Sequence, residues 1–97
     1  MAKINWTHEA LHWLEEIFEY IAADNPDAAI RTVEGIFERA QILAIYPEIG
    51  QRLVHPRRNV RILLHEHFRI AYLIRPDGDI EILGVFHGAL DITKYEL

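Results

Sequence analysis

The spacing of apolar residues changes near Pro47 of this 97-residue chain, and that change separates predicted helices from predicted strands. Before Pro47, apolar residues recur every three or four positions in two stretches, as in amphipathic helices. After Pro47 they stand in short runs rich in β-branched and aromatic side chains, as in strands. Helices grouped ahead of strands predict an α+β domain in which a helical hairpin packs on an antiparallel sheet.

The first half of the chain carries recognisable helix boundaries. Residues 2–6 alternate apolar and polar side chains, which predicts a short strand, and Thr7 then offers an N-cap for a first helix. Asn25 is a favourable N-cap for a second helix, and Pro26 suits its first position. Because few residues separate the two helices, we expect them to pack as an antiparallel hairpin.

The second helix contains a glycine and ends before a proline. Gly35 costs about 1 kcal/mol relative to alanine, which either a close approach of the other helix or a tolerated surface position would explain. Tyr46 precedes Pro47, and the residue before proline disfavours helical geometry, so the helix is expected to end there. Strands are then predicted at 60–64, 68–75 and 80–86.

Size and composition limit the class of protein. Ninety-seven residues supply one hydrophobic core, so residues 1–97 are expected to form a single domain. No apolar run approaches the roughly 18 residues of a membrane span, which predicts a cytoplasmic protein without a membrane partner.

Charge is distributed unevenly along the chain. The net charge is −5, yet residues 1–51 hold three basic groups against nine carboxylates, whereas residues 52–97 hold seven against six. A locally basic face can attract an anionic partner, although the same arginines can instead pair with carboxylates of the first half. The candidate target-binding residues in this basic stretch are Arg52, Arg57, Arg58 and Arg61.

The residue inventory excludes several kinds of active site. Cysteine and serine are both absent, which removes disulfides and the usual serine and cysteine nucleophiles. His8 and His12 have ligand spacing at a helix start, but no convincing third ligand stands near them. No glycine-rich phosphate loop occurs. We therefore expect neither a metal site nor a cofactor.

One constellation with possible chemistry remains. Arg61 and Arg69 are expected on adjacent strands, and His87 ends the strand that follows. On one face of the sheet, these three side chains would suffice to hold a phosphodiester and move a proton. The alternative is structural: Arg69 anchors the sheet to a helix carboxylate and His87 caps a strand end.

Four sequence segments, in this order and spacing, resemble the RelE/ParE toxin family of bacterial toxin–antitoxin modules over nearly the whole chain. They are Asp24-Asn25-Pro26, Pro47-x-x-Gly50, Arg69-Ile70-Ala71-Tyr72 and the segment from Ile82 to Asp91. The resemblance implies a helical hairpin on a twisted antiparallel sheet. It also implies a plasmid-stabilisation type of toxin that a cognate antitoxin neutralises.

The family divides by target, and the sequence is closer to its ParE branch. RelE-type members cleave messenger RNA on the ribosome with basic residues of the central strands. Here that set would be Arg61, Arg69 and His87, with Tyr95 in place of a C-terminal tyrosine. ParE-type members inhibit DNA gyrase, and the ending from Val85 to Asp91 resembles theirs more closely. We therefore expect a gyrase-binding toxin without bond chemistry of its own; the alternatives are a metal-independent ribosome-dependent endonuclease or an inactive toxin that only binds its antitoxin.

Antitoxin binding would use aromatic side chains that a small domain leaves accessible. The candidates are Trp13, Tyr20, Phe37 and Tyr46, each of which has membership of the core or its edge as the alternative.

Overall fold

A computed structural model describes residues 1–54 and 58–88 of the chain. Within these residues, two helices pack on a five-stranded sheet. The helices are α1 (His8–Ala22) and α2 (Pro26–Ala40), and the strands are β1 (Ile4–Trp6), β2 (Gln51–Arg52), β3 (Val60–His65), β4 (Phe68–Ile74) and β5 (Ile80–His87).

Both predicted helix starts are confirmed by their caps. The Thr7 hydroxyl accepts a hydrogen bond from the backbone N–H of Ala10 at 3.1 Å, and the Asn25 side chain accepts one from Ala28 at 3.1 Å. Pro26 opens α2, where its missing N–H costs no hydrogen bond. The caps are local, so the sequence alone specified them.

The end of α2 differs from the prediction. The α-helix stops at Ala40, and a 3₁₀ turn, Gln41–Ala44, continues the chain toward Pro47. A 3₁₀ turn has nearly the same spacing of apolar residues as an α-helix, so the periodic pattern ran through the boundary. Buried Leu43 lies in this turn and belongs to the core.

The sheet has the strand order β1-β5-β4-β3-β2. β3, β4 and β5 pair antiparallel, as predicted, and β2 pairs antiparallel with β3, whereas β1 pairs parallel to β5. The sheet is therefore mixed, and the α+β class with a helical hairpin on a sheet is confirmed. The two-residue strand β2 was not predicted, because it exists only through its pairing with β3.

The main core lies between the helices and one face of the sheet. A second, smaller cluster (Val60, Ala71, Leu83 and Phe86) lies on the opposite face. The main core comprises Ala10, Leu14, Ile36, Ala40, Leu43, Leu63, Phe68, Ile70, Tyr72, Ile80, Ile82 and Val85.

Gly35 is explained by neither of the two expected reasons. A Cβ on Gly35 would lie 3.2 Å from Nε2 of His65, at the end of β3. The glycine therefore makes room for a side chain of the sheet, not for the other helix. A helix–strand contact of this kind depends on tertiary packing, which the spacing within α2 does not reveal.

Candidate functional site

Two surfaces of the molecule are candidates for binding. The first is a groove of about 760 Å³ between α1 and the ends of β4 and β5. Its walls are mainly apolar, with a few polar side chains among them. The groove is lined by Trp13, Glu16, Ile17, Tyr20, Ile21, Thr32, Glu66, His67, Phe68, Val85 and His87.

Aromatic rings and imidazoles form the strand end of the groove. The ring of His87 stacks on His67 with the centroids 6.4 Å apart, and it meets Phe68 edge-on at 6.0 Å. The backbone N–H of Gly88 donates to the carbonyl of His67 at 2.6 Å, which holds this end of the sheet together. His87, the last residue of β5, is thus part of a packed cluster at the groove.

The second surface is built on the loop that follows the 3₁₀ turn. Two side chains of the sheet fix this loop through its backbone. The Tyr72 hydroxyl donates to the carbonyl of Pro47 at 2.7 Å and accepts from the N–H of Gly50 at 2.9 Å. Arg61 Nη1 donates to the carbonyls of Glu48 at 3.1 Å and Gly50 at 2.8 Å. We call these four hydrogen bonds the loop clasp.

The loop clasp leaves no room beside Gly50. A Cβ there would lie 2.6 Å from both Cε1 and the hydroxyl oxygen of Tyr72, and 2.9 Å from the carbonyl oxygen of Ile62. Gly50 is therefore required by a close approach of the sheet. This contact explains the Pro47-x-x-Gly50 segment of the sequence in structural terms.

Tyr72 is the largest fully buried side chain described, and its surroundings perturb it. Burial raises the pKa of the Tyr72 phenol above its ordinary value of 10.0. The hydrogen bond from Gly50 and the charge of Arg61 act in the opposite direction, and the charge of Glu48 adds to the rise. The phenol is neutral near pH 7 and so can both donate and accept in the clasp.

The three residues predicted as one catalytic set are not brought together. Arg61 lies opposite Tyr72 in the β3–β4 register, and Arg69 lies opposite Leu64. Because side chains alternate along a strand, the three-residue step from Arg61 to Leu64 places the two arginines on opposite faces of the sheet. The expectation that they emerge side by side is wrong.

His87 is also separated from both arginines. His87 lies opposite Phe68, whose side chain is on the helix face of β4. Arg69 is the next residue of β4, so its side chain is on the other face. Arg61 shares the helix face with His87, but its partner Tyr72 is four residues from Phe68, or about 13 Å along the strand. The described geometry assembles no pair of these three side chains.

The candidate target-binding arginines are placed unequally. Arg52 and Arg58 are exposed, whereas Arg61 is half-buried and its guanidinium serves the loop clasp. Arg52 lies directly opposite Arg61 in the β2–β3 pairing. Arg57 falls outside the described residues, as does Tyr95.

The four candidate antitoxin-binding aromatics fall in three places. Trp13 and Tyr20 line the groove, where Tyr20 is 85% exposed. Phe37 packs on Trp6 with the ring centroids 4.5 Å apart, at the edge of the core. Tyr46 lies on the fixed loop and is 59% exposed. Their role in binding stays a prediction, but only two of them share a surface.

In residues 1–54 and 58–88, no three histidine, aspartate or glutamate side chains are grouped as metal ligands. His12 instead contacts Glu16 one helical turn away, at 3.3 Å. No helix in the same ranges is long and apolar enough to cross a membrane.

Tyr72 and Gly50 are the residues whose importance the sequence reasoning missed. Both belong to segments that carried the family resemblance, but nothing in their spacing showed that they touch. They are 22 residues apart in the chain. A tyrosine on the same face of β4 as apolar Phe68 and Ile70 was the available signal, because a buried phenol needs a hydrogen-bond partner.

Comparisons with known proteins agree with this fold. A family model described as "ParE toxin of type II toxin-antitoxin system, parDE" matches residues 4–92. "Putative toxin Y4kP" of Sinorhizobium fredii is 39% identical over 85 residues, which are 88% of this chain and 86% of that protein.

Two solved structures share the fold. One is from the "Chromosomal ParDE TA system from P. aeruginosa", with a TM-score of 0.74 and 24% identity over 90% of this chain and 96% of that one. The other is from the toxin–antitoxin complex RelBE2 of Mycobacterium tuberculosis, with a TM-score of 0.63 and 20% identity over 89% and 96% of the two chains. Both match two helices on a five-stranded sheet.

Proposed function

Because the chain belongs to the ParE toxin family of type II toxin–antitoxin systems, we propose that it inhibits DNA gyrase by binding to it. In this proposal the toxin catalyses no reaction, and a cognate antitoxin neutralises it. Gyrase is the target that the resemblance of the last strand and its continuation to ParE-type toxins implies.

The separation of Arg61 from Arg69 is the observation that favours DNA gyrase over the ribosome as the target. A ribosome-dependent nuclease that used Arg61, Arg69 and His87 would need their side chains around one phosphodiester. Here the sheet lies between the two arginines. Arg61 Nη1 also donates hydrogen bonds to two backbone carbonyls of the loop, which favours a structural role for this arginine.

The groove supports the part of the proposal that concerns the antitoxin. An amphipathic helix from a partner would place apolar side chains against Trp13, Ile17 and Tyr20. Tyr20 projects from α1 into solvent and is 85% exposed. A tyrosine in this position can contribute strongly to binding when a partner covers it. We therefore assign the antitoxin to the groove.

A supercoiling assay tests the proposal directly. Purified toxin should block supercoiling of relaxed plasmid by purified DNA gyrase in the presence of ATP. The same preparation should leave messenger RNA intact on translating ribosomes, as read by primer extension.

The two targets give opposite patterns in this pair of assays. Undiminished supercoiling at high toxin excess, together with codon-positioned cuts that vanish in Arg69→Ala, would establish the nuclease instead. A toxin with no effect in either assay and none on bacterial growth would be an inactive, antitoxin-binding protein.

A further inference from the structure

We propose that the loop surface, made of Ile45, Tyr46, Ile49 and Arg52, is where this toxin binds its target protein. The partner it fits is a folded protein that presents an apolar side chain next to a carboxylate. This inference rests on the proposed function and adds to it the surface of contact.

Three apolar side chains of the loop surface are exposed close to one another in the chain. Ile45 and Tyr46 are each 59% exposed and Ile49 is 49% exposed, although they lie within five residues of one another. With Pro47 and Glu48 they surround a shallow depression of about 390 Å³. Clustered exposed apolar side chains mark sites of protein association, whereas single ones do not.

The loop clasp holds this surface in one conformation before any partner arrives. Tyr72 and Arg61 fix the backbone of Pro47, Glu48 and Gly50 from inside the sheet. The backbone N–H of Tyr46 adds a bond of 2.8 Å to the carbonyl of Ile42. A surface that is already ordered loses little conformational entropy on binding, which favours affinity.

Charge beside the loop defines the polar part of the partner. Arg52 and Arg61 lie directly opposite each other, and their Cβ atoms are thus about 5 Å apart. Glu48 offsets one of these two charges, and in residues 1–54 and 58–88 no carboxylate forms an ion pair with Arg52. One net positive charge therefore borders the apolar loop, where a partner's carboxylate would be stabilised.

Position separates this surface from the groove. The clasp is attached to β4 at Tyr72, whereas the groove meets β4 at Phe68, about 13 Å away along the strand. A partner segment can occupy the groove without contacting Tyr46. Target and antitoxin would then bind different surfaces of the toxin.

The test compares a double variant of the loop surface with matched controls. Tyr46→Ala combined with Ile49→Ala should raise the toxin concentration for half-inhibition of gyrase supercoiling by about tenfold or more. Arg52→Glu should weaken inhibition by a similar factor, and Arg52→Lys by much less. Ile30→Ala is the control for Ile49→Ala, because Ile30 is 45% exposed on α2, outside both surfaces, and should leave inhibition unchanged.

A second readout, growth arrest on expression in bacterial cells, separates the two proposals. If the double variant inhibits gyrase as strongly as the wild-type toxin does, this inference is wrong and the proposed function stands. If the wild-type toxin arrests growth without inhibiting gyrase, the proposed function is wrong. In that case the loop surface is still the target-binding surface if the double variant no longer arrests growth, and it is not if the double variant arrests growth as the wild type does. A wild-type protein with neither effect would overturn both. Circular dichroism and melting curves show that each variant is folded.

Discussion

The groove and the loop surface lie toward opposite ends of the central strands and are built in different ways. The groove is space that α1 and the strand ends leave unfilled, bounded by side chains such as Tyr20 that extend into solvent. The loop surface is a short segment whose backbone is tied to buried Tyr72 and half-buried Arg61. The groove is suited to receive a segment that adds apolar side chains, whereas the loop is suited to present its own. The two surfaces should therefore respond differently to substitutions inside the domain.

The largest expected effect is that of Gly50→Ala. The new methyl group would lie 2.6 Å from Tyr72 and 2.9 Å from the carbonyl oxygen of Ile62, so either the loop or the sheet must move. We expect a loss of about 3 kcal/mol in the free energy of unfolding, together with loss of target inhibition. Urea unfolding measures the first and the supercoiling assay the second.

Gly78→Ala is the control for that substitution. Gly78 has φ of +91° in the turn before β5, but nothing lies within 4 Å of a Cβ there. It should cost only backbone strain, about 1 kcal/mol, and leave inhibition unchanged. Equal losses of stability in the two variants would show that the close approach of the sheet does not require a glycine at position 50.

Tyr72→Phe should have the next largest effect. It removes the acceptor of the buried Gly50 N–H and the donor to Pro47 while keeping the ring, which should cost about 2 kcal/mol. Because the loop surface depends on this clasp, inhibition should weaken even though Ile45, Tyr46 and Ile49 are unchanged. A variant as stable as the wild type would contradict the role assigned to the hydroxyl.

The effect of Tyr72→Phe on stability should depend on pH. The folded state raises the pKa of Tyr72 above 10.0, so the unfolded chain loses this proton first as the pH rises. The contribution of Tyr72 to stability is thus complete below about pH 10 and is lost as the pH rises through the folded-state pKa. Urea unfolding of both proteins at about pH 8 and above pH 10 should show the difference in unfolding free energy between wild type and Tyr72→Phe narrowing at the higher pH.

Thr7→Ala should have the smallest effect and tests the groove side of the comparison. The Thr7 hydroxyl caps α1 and donates to the carbonyl of Ile82 at 2.8 Å, so it fixes the helix that forms one wall of the groove. We expect Thr7→Ala to lower the free energy of unfolding by about 1 kcal/mol, and Thr7→Ser to lower it much less. Gyrase inhibition should be unchanged. A loss of inhibition at full folding would show that the two surfaces are coupled.

Local signals predicted the parts of the fold that depend on neighbours in the chain. Thr7 and Asn25 were identified as caps because the hydrogen bond spans three residues. The strands β3, β4 and β5 followed from runs of apolar residues and from the turn at Gly78. The parallel pairing of β1 with β5 did not follow, since Ile4 and Ile80 are 76 positions apart and no local pattern links them.

The candidate sites were less predictable than the fold. Tyr20 and Tyr46 were identified as accessible aromatics, but assigning them to two surfaces required the packing of α1 and the loop. Arg61 and Arg69 were grouped because they flank a short turn. Their faces depend on the exact register of β3 and β4, and a shift by one residue would have reversed the result for either strand.

The sequence by itself determined the class of this protein: two capped helices, then a meander of strands, in the order of a family of toxins. It did so because hydrophobic period, caps and turn residues act over a few positions. Only the tertiary structure decided that Arg61 and Tyr72 fix a loop while Arg69 faces the other way, because hydrogen bonds between residues 11 to 25 positions apart form only after the sheet has set its register.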